Sequence, residues 1–255
     1  MNYNLHTHTK RCGHATGEDE EYVSFAIEGG VELLGFSDHA PFLFPDGKQQ
    51  QHCVQVEATE DYFGSLGSLR KKYRDRIDIR IGFEMEYYPA YFGDMAKYVK
   101  SLGAEYLVLG QHAIYNGKLF IHGISGSEEN FKEYIRCTIE AMSTGCFTQV
   151  AHPDMMQLSC NDALYESEVR RLATVSRELN IPLEINLLGV RDGRCYPLEK
   201  FWRIVGEEGA PVTVGMDAHS PDVMLNKSAF HVAEWLIKKH RLNYVGAAEI
   251  RCIKN

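Results

Sequence analysis

Seven of the chain's eleven histidines fall in short clusters, and each cluster follows a run of apolar, β-branched or aromatic residues. Two carboxylates occupy the same kind of position. Imidazole nitrogen and carboxylate oxygen are the ligands that Zn, Mn and Fe prefer, and nine such groups exceed what one ion can use. The pattern therefore predicts a metallohydrolase with several ions. The nine candidate ligands are His6, His8, His14, His39, Glu84, His112, His152, Asp217 and His219.

Two pairs of these residues are spaced so that their side chains point the same way. His6 and His8 alternate in N-L-H-T-H-T, and Asp217 and His219 alternate in M-D-A-H. Residues i and i+2 of a strand lie on one face, so each pair aims at a common point. A single histidine near a strand end is usually an ordinary core or surface residue. Two buried polar groups on one face, however, cost free energy unless something binds them.

The other four histidines and the seven cysteines fall outside this pattern. His231 and His240 lie in a polar C-terminal segment and are expected on the surface of a helix. His52 does not follow an apolar run, and His122 receives no assignment. The cysteines are odd in number and lack a C-x-x-C pair, which favours free thiols in a reducing cytosol. Cys12 lies beside the first ligands, but the imidazoles already supply enough ligands.

Composition indicates one globular enzyme domain over residues 1–255. A hydrophobic content of 44% with 24% charged residues is ordinary, and α/β barrels of this length are commonly single domains. A net charge of −8 argues against nucleic acid or an anionic membrane as the main partner. No apolar stretch approaches the ~20 residues of a spanning helix, and the N-terminus lacks a signal-peptide pattern. We therefore expect a cytoplasmic protein.

Candidate strands alternate with candidate helices and give seven βα units. The predicted strands are Tyr3–His6, Leu33–Ser37, Ile77–Phe83, Tyr106–Leu109, Phe147–Ala151, Leu183–Ile185 and Val212–Gly215, with a last short strand at Tyr244–Ala247. The predicted helices are Glu18–Glu28, Glu60–Tyr73, Asp94–Leu102, Ser127–Met142, Ala163–Leu179, Leu198–Glu207 and Lys227–Lys239. Loops are expected at Pro41–Cys53 and Tyr115–Ser125.

This alternation implies a parallel sheet covered by helices. A barrel brings the C-terminal end of every strand to one rim, and the candidate ligands all lie at or just beyond those ends. A doubly wound open sheet would gather fewer strands around its site. The chain also lacks both G-x-G-x-x-G and G-x-x-x-x-G-K-[ST], so nucleotide-binding folds lose their main support. The ligand distribution favours an α/β barrel.

The motifs resemble, over nearly the whole chain, those of the PHP (polymerase and histidinol phosphatase) family: H-T-H, C-G-H-A, S-D-H-A-P, G-x-E, G-x-H, A-H-P-D and G-x-D-A-H. Those near the N-terminus, H-x-H-T-x-x-C-G-H-A-T-G, E-E-Y and G-F-S-D-H-A-P, are most similar to the histidinol-phosphate phosphatase branch. The resemblance implies a distorted (βα)7 TIM-like barrel and three divalent ions of Zn, Mn or Fe. It also implies hydrolysis of a phosphomonoester, with L-histidinol phosphate favoured. The alternative substrates are another small-molecule phosphoester, such as a nucleotide or sugar phosphate, or a phosphodiester end.

The resemblance also divides the ligands among the ions. One ion would be held by His6, His8, Glu84 and Asp217. Glu84 would bridge to a second ion, held with His112 and His152. The remaining ion and the bridge would be completed by His14, His39 and His219. Such ions lower the pKa of bound water toward ~7 and so supply a nucleophile at neutral pH. A non-catalytic barrel with structural metal is disfavoured, because structural sites are closed and tetrahedral.

Two further residues are predicted to act in catalysis. Asp38, adjacent to His39, is expected either to support a ligand or to donate a proton, with a turn cap as the structural alternative. Arg191 follows a strand end in E-I-N-L-L-G-V-R and is expected to bind phosphate oxygens. Arg194 and Arg11 compete for that role, and a surface arginine is the structural alternative.

A substrate with a cationic amine and an imidazole also calls for an acidic or aromatic wall. The candidates lie in segments that face the rim, and each is equally compatible with ordinary packing. They are Phe42, Phe44, Glu86, Tyr87 and Tyr115. The residue pattern does not choose among the metals or fix an oligomeric state.

Overall fold

The computed structural model describes residues 1–42, 44, 46, 49–121 and 126–254, so His122 lies outside the described residues. The described strands are β1 (Tyr3–Asn4), β2 (Leu33–Phe36), β3 (Asp78–Ile81), β4 (Phe83–Met85), β5 (Leu107–Leu109), β6 (Ala113–Ile114), β7 (Leu119–Phe120), β8 (Phe147–Val150), β9 (Leu183–Asn186), β10 (Pro211–Gly215) and β11 (Asn243–Tyr244). The described helices are α1 (Asp19–Glu28), α2 (Thr59–Tyr73), α3 (Phe92–Ser101), α4 (Glu128–Ser143), α5 (Asp162–Leu179), α6 (Leu187–Asp192), α7 (Glu199–Glu208) and α8 (Phe230–His240). Among these helices, none is both long and apolar enough to cross a membrane.

The parallel strands form two sheets, β1-β2-β3 and β11-β10-β9-β8-β5-β4 in spatial order. The sheets join at Gly82, the single residue between β3 and β4. Its N–H donates to the carbonyl oxygen of Phe36 at 2.8 Å, whereas the N–H of Phe83 donates to that of Tyr106 at 3.2 Å. The sequence predicts one strand over Ile77–Phe83, and this detail is wrong. A Cβ on Gly82 would lie 2.4 Å from the Tyr106 carbonyl oxygen, so the close approach requires glycine.

A second junction closes a ring between β1 and β10. Just beyond these strands, Thr7 and Ala218 form a parallel bridge. The N–H of His8 donates to the carbonyl oxygen of Ala218 at 2.9 Å, and the N–H of Ala218 donates to that of His6 at 3.1 Å. In the described part of the chain, seven parallel strand positions thus surround one axis, with β3 and β4 counted together. This ring is the distorted (βα)7 barrel that the sequence predicts.

Below this bridge, side chains replace the backbone ladder between β1 and β10. The Oδ1 atom of Asn4 accepts from the N–H of Met216 at 2.8 Å. The hydroxyl oxygen of Tyr3 accepts from the N–H of Val214 at 3.2 Å. β11 pairs with the N-terminal end of β10. It spans Asn243–Tyr244, whereas the sequence predicts a strand at Tyr244–Ala247. We refer to the junction of β1 and β10, from Tyr3 to the Thr7–Ala218 bridge, as the seam.

Neither α6 nor the β6–β7 hairpin is predicted by the sequence pattern. α6 begins where the Oδ1 atom of Asn186 accepts from the N–H of Gly189 at 3.1 Å, and it ends at Gly193 with φ 62°. Six residues are too few for a helical period to show in the sequence. The hairpin turns within the segment expected to be a loop, Tyr115–Ser125. Because α6 follows β9 and the hairpin follows β5, both elements lie on the C-terminal side of the ring.

Two apolar clusters support this side of the barrel. The larger one packs the helices against the outside of the ring, with Tyr22, Leu66 and Trp202 fully buried. A smaller cluster lies within the ring and contains Leu5 and Tyr106. The hydroxyl group of Tyr106 donates to the carbonyl oxygen of Leu5 at 3.0 Å. The strand ends that carry the candidate ligands therefore stand on a packed interior.

Candidate active site

The nine predicted ligands converge at the C-terminal rim of the ring. Eight of them come from, or just beyond, the ends of six strands: His6 and His8 from β1, His39 from β2, Glu84 from β4, His112 from β5, His152 from β8, and Asp217 and His219 from β10. Distances of 3.1 to 3.7 Å connect the ligand atoms of these eight residues. His14 follows the short 3-10 helix Lys10–Cys12 and lies further out, with its ring centre 4.8 Å from that of His219.

At the centre, four buried polar atoms face one another with no hydrogen-bond partner among the described residues: Nε2 of His6, Nε2 of His8, Oε2 of Glu84 and Oδ1 of Asp217. The carboxylate oxygens lie 3.1 to 3.5 Å from the two imidazole nitrogens. A tetrahedral ion with bonds of ~2.05 Å would separate its ligands by ~3.3 Å. Because buried polar groups are normally satisfied, this arrangement fits a bound cation.

The carboxylate of Glu84 lies between two groups of imidazoles. Its Oε2 atom is 3.1 Å from Nδ1 of His39. Its Oε1 atom is 3.1 Å from Nε2 of His152 and 3.7 Å from Nε2 of His112. A Cβ on Gly110 would lie 2.1 Å from Oε1, so the neighbouring strand leaves room for this carboxylate only with glycine. Glu84 is thus in a position to contact two ions.

A third group lies toward the outer end of the site. Ligand atoms of His8, His39 and His219 all lie within 4.8 Å of one another. The rings of His8 and His219 stack with centres 4.0 Å apart. Nδ1 of His14 lies 3.1 Å from the carbonyl oxygen of Cys12, a contact in which Nδ1 would carry the hydrogen. The lone pair of Nε2 is then available to a ligand.

Two of the converging residues have an unusual backbone conformation. His152 has φ 31° and Asp217 has φ 48°, in the left-handed region that residues other than glycine rarely adopt. Such strain persists where surrounding contacts maintain it, and it clusters at functional sites. At Asp217 the contact that maintains this conformation comes from Arg191. Its Nη2 atom donates to the carbonyl oxygens of Met216 (2.8 Å) and Asp217 (3.2 Å).

Asp38 lies behind the ligands rather than on the surface of the site. It is fully buried, and its Oδ1 atom accepts from the N–H of His39 at 2.9 Å and lies 3.4 Å from Nδ1 of His8. Its Oδ2 atom accepts from the N–H of Thr9 at 3.1 Å. This position suits the support of His8. It does not give Asp38 the contact with a leaving group that a proton donor needs.

Two other carboxylates support ligands in the same way. Nδ1 of His112 lies 2.8 Å from Oε1 of Glu86, which also accepts from the backbone N–H of His112. Glu86 therefore supports His112, and because it also lines the cavity, its role in binding a substrate amine stays a prediction. Nδ1 of His6 lies 3.0 Å from both oxygens of Glu184, a residue that the sequence analysis leaves unassigned. The one feature of the sequence that could have indicated this role is that Glu184 is a charged residue in the middle of an apolar strand.

Charge at the centre is shared between buried imidazoles and carboxylates. Burial acts to raise the pKa of Glu84, but the neighbouring histidines, His6 foremost, outweigh burial and hold that pKa well below its usual range. Burial lowers the pKa of His39 well below its usual range and that of His219 to about 3. Burial also acts to lower the pKa of His6, but Asp217 and other carboxylates outweigh it and raise that pKa.

A cavity of about 550 Å³ opens above the ligands. Phe42, Phe120 and Leu188 form apolar parts of its wall. Phe42 was predicted there, whereas Phe120 was not; its side chain is 55% exposed, and its ring centre lies 6.5 Å from that of His112. His52 also reaches the cavity, with its ring centre 5.5 Å from that of His14. No feature of the sequence around His52 indicated this position.

The other predicted wall residues serve as packing. The ring of Phe44 lies behind that of Phe42, with centres 4.7 Å apart. Tyr87 packs against Phe92, and the hydroxyl group of Tyr115 lies 3.1 Å from Oδ1 of Asn130. The cavity wall is therefore formed by fewer aromatic residues of the predicted set than expected.

The three candidate arginines differ in their contacts. Arg11 binds both carboxylate oxygens of Asp19 at 2.9 Å and Oδ2 of Asp61 at 2.8 Å, and it does not line the cavity, so it is excluded as a phosphate ligand. Arg194 lines the cavity but donates to Asp192 at 3.0 Å. Arg191 also lines the cavity, and among the described residues its Nη2 atom alone makes hydrogen bonds. Arg191 is thus the arginine with donors left for a ligand.

The two histidines of α8 differ in exposure. His231 is exposed as predicted, with 78% of its side chain accessible. The prediction for His240 is wrong, since its side chain is only 10% exposed and its Nε2 atom lies 3.4 Å from Glu199. All seven cysteines are free thiols.

Comparison with known proteins agrees with this geometry. The PHP domain model matches residues 4–187, which include the candidate ligands from His6 to His152. The histidinol-phosphatase of Bacillus subtilis is 27% identical over 248 residues, covering 84% of this chain and 92% of the relative. A probable histidinol-phosphatase of Deinococcus radiodurans is 25% identical over 227 residues, covering 85% of each chain.

A solved structure shares the fold over almost the full length. The crystal structure of histidinol phosphate phosphatase from Lactococcus lactis, complexed with zinc, L-histidinol and phosphate, has a TM-score of 0.75 at 18% identity. The similarity covers 97% of both chains. Because the family model matches well over half of the sequence and the predicted barrel is present, the chain belongs to the PHP domain family.

Proposed function

We propose that this protein is a metal-dependent phosphomonoesterase and that its substrate is L-histidinol phosphate. The observation that carries the proposal is a set of four buried ligand atoms, from His6, His8, Glu84 and Asp217, that have no hydrogen-bond partner in the described part of the chain. They lie beneath a cavity that Arg191 also lines. The curated relatives in Bacillus subtilis and Deinococcus radiodurans, named for this activity, support the choice of substrate. In such a role, within histidine biosynthesis, the enzyme would act in the cytoplasm.

We assign the converging side chains to three divalent ions of Zn, Mn or Fe. The first ion would be held by His6, His8, Glu84 and Asp217. A second would be held by Glu84, His112 and His152. His14, His39 and His219 would complete the third position and the bridge. Imidazole and carboxylate sites accept each of these metals, so supply decides which one is bound.

The bound ions would lower the pKa of a water molecule toward ~7 and offset charge on the phosphoryl oxygens. The chain's own contribution is to hold the ester in place. The free donors of Arg191 would bind phosphoryl oxygens as charge-assisted hydrogen bonds. Phe42 and Phe120 would contact the imidazole ring of the substrate, and Asp38 and Glu86 would keep His8 and His112 oriented.

Substrate preference tests the proposal directly. We expect kcat/KM for histidinol phosphate to exceed that for p-nitrophenyl phosphate and simple sugar phosphates by at least about tenfold, because binding energy from the remote imidazole and amine is used in the transition state. The measurement is phosphate release by the metal-loaded enzyme across this panel. Equal rates would remove histidinol phosphate as the substrate and favour a broader phosphoesterase. No phosphate release from any ester would remove the phosphatase activity itself.

Replacing Arg191 by alanine is expected to lower kcat/KM by roughly 10- to 1,000-fold, with a higher KM, since one charge-assisted contact is lost. Arg191→Lys keeps the charge but loses the planar guanidinium group, so its kcat/KM should lie between those of the wild type and Arg191→Ala. Arg194→Ala is the matched comparison, because Arg194 is already bound to Asp192. A larger loss in Arg194→Ala than in Arg191→Ala would reverse the assignment. Metal content is measured in each variant, since Arg191 also contacts the backbone at Asp217.

A further inference from the structure

We infer that Glu184 is a positioning residue that sets the tautomer and orientation of His6 for metal binding, as part of a buried polar network with Gln149 and Asn186. The inference rests on the metal site of the proposed function and deepens it. Glu184 belongs to β9 and is fully buried inside the ring. It contacts the imidazole from the side opposite the cavity.

The carboxylate of Glu184 contacts the imidazole of His6 directly. Both carboxylate oxygens lie 3.0 Å from Nδ1 of His6. An ionised carboxylate only accepts hydrogen bonds, so Nδ1 must carry the hydrogen. Nε2 of His6 then presents its lone pair. This atom lies 3.5 Å from Glu84 and Asp217, and no described residue forms a hydrogen bond with it. A metal-bound histidine commonly donates its other N–H to a carboxylate in this way.

A network of side-chain hydrogen bonds holds Glu184 itself in place. Nε2 of Gln149 donates to Oε2 at 2.6 Å, and Nδ2 of Asn186 donates to Oε1 at 2.8 Å. Nδ2 of Asn186 also donates to Oδ2 of Asp217 at 3.0 Å. Glu184 therefore accepts from three side chains, and Asn186 connects it to a second ligand of the same ion. Burying this charge without such partners would cost several kcal/mol.

A glycine on the neighbouring strand leaves space for the carboxylate of Glu184. Gly215 lies on β10, next to β9, and a Cβ there would lie 2.1 Å from Oε2 of Glu184. Gly110 makes the same allowance for Glu84, with a Cβ 2.1 Å from Oε1. The barrel interior thus provides glycine beside both carboxylates. A purely space-filling role for Glu184 does not account for a charged group enclosed by three donors and backbone.

The test measures metal binding without a substrate. Glu184→Gln keeps the size but removes the charge, and its amide N–H₂ would face the donors of Gln149 or Asn186. We expect Zn²⁺ affinity, measured by competition with a chromophoric chelator, to fall 10- to 100-fold. The absorption bands of bound Co²⁺ should shift, because one imidazole ligand changes its orientation. Glu178→Gln, the same change at an exposed position of α5, should leave both measurements unchanged.

A second variant covers the case in which Glu184→Gln does not fold. Gln149→Met removes one donor to Glu184 while keeping length, and it should lower Zn²⁺ affinity by about three- to tenfold. Zn²⁺ affinity within twofold of wild type in every variant that folds, with only a lower Tm, would overturn the inference and leave Glu184 a structural residue. If wild-type protein binds Zn²⁺ but does not hydrolyse histidinol phosphate, the proposed substrate fails and the result for Glu184 stands.

Discussion

Glu84→Gln is expected to lower kcat by about 10³-fold while the protein stays folded. The carboxylate of Glu84 lies between two groups of imidazoles, at 3.1 Å from both His39 and His152, so its charge is the one best placed to hold two ions together. A loss of several kcal/mol of transition-state stabilisation corresponds to such a factor. The measurement is single-turnover hydrolysis of histidinol phosphate, with metal content determined on the same sample.

The amide has nearly the same shape as the carboxylate, so it still fits beside Gly110 and the fold should be retained. Circular dichroism and thermal melting of the metal-free protein check this. Glu178→Gln serves again as the matched control and should keep wild-type turnover. Near-wild-type activity in Glu84→Gln, with full metal content, would show that Glu84 does not bridge two ions.

Removal of metal is expected to abolish activity and to lower the Tm by about 5–15 °C. Ligands present at 100 to 1,000 times their Kd stabilise a folded protein by about 2.7–4.1 kcal/mol, and each kcal/mol corresponds to about 2–4 °C in a chain of this length. Without a cation, the buried carboxylates of Glu84 and Asp217 also lose the compensating charge of the ions. The measurements are activity and Tm before and after dialysis against a chelator.

Added Mn²⁺ or Zn²⁺ should restore both quantities, whereas Ca²⁺ should not, because it prefers oxygen ligands to imidazole nitrogen. Phosphate release at the original rate from protein shown to contain less than one ion per chain would contradict a metal-dependent reaction.

The sequence predicts the barrel and the convergence of the nine candidate ligands at one rim, for a physical reason. Parallel strands end at one rim, so residues as distant as His6 and Asp217 meet once both follow apolar runs, and their polar atoms lie 3.5 Å apart. The strand periods and helix lengths carry this information locally. Alternating pairs such as His6 and His8 add direction, because residues i and i+2 of an extended backbone point to the same side.

The supporting layer could not be predicted in the same way. Glu184 lies in the middle of a strand, and its partners on the neighbouring strands are fixed only by the register of β8, β9 and β10. Similarly, the contact between Glu86 and His112 depends on how β4 pairs with β5. α6 escapes detection because a six-residue helix that begins at Asn186 and ends at Gly193 shows no period. His52 and Phe120 reach the cavity through loop and hairpin geometry that apolar patterns do not encode.

The seam between β1 and β10 gives the metal ions a further consequence. The Thr7–Ala218 bridge is flanked by His6 and His8 on one side and by Asp217 and His219 on the other. Ions bound to both pairs would hold the two ends of the ring together where the backbone ladder is reduced to one bridge. Metal binding and closure of the barrel are then one coupled equilibrium. In a cell short of metal, more of the protein would be open to proteolysis, so metal supply would set the abundance of the enzyme as well as its turnover.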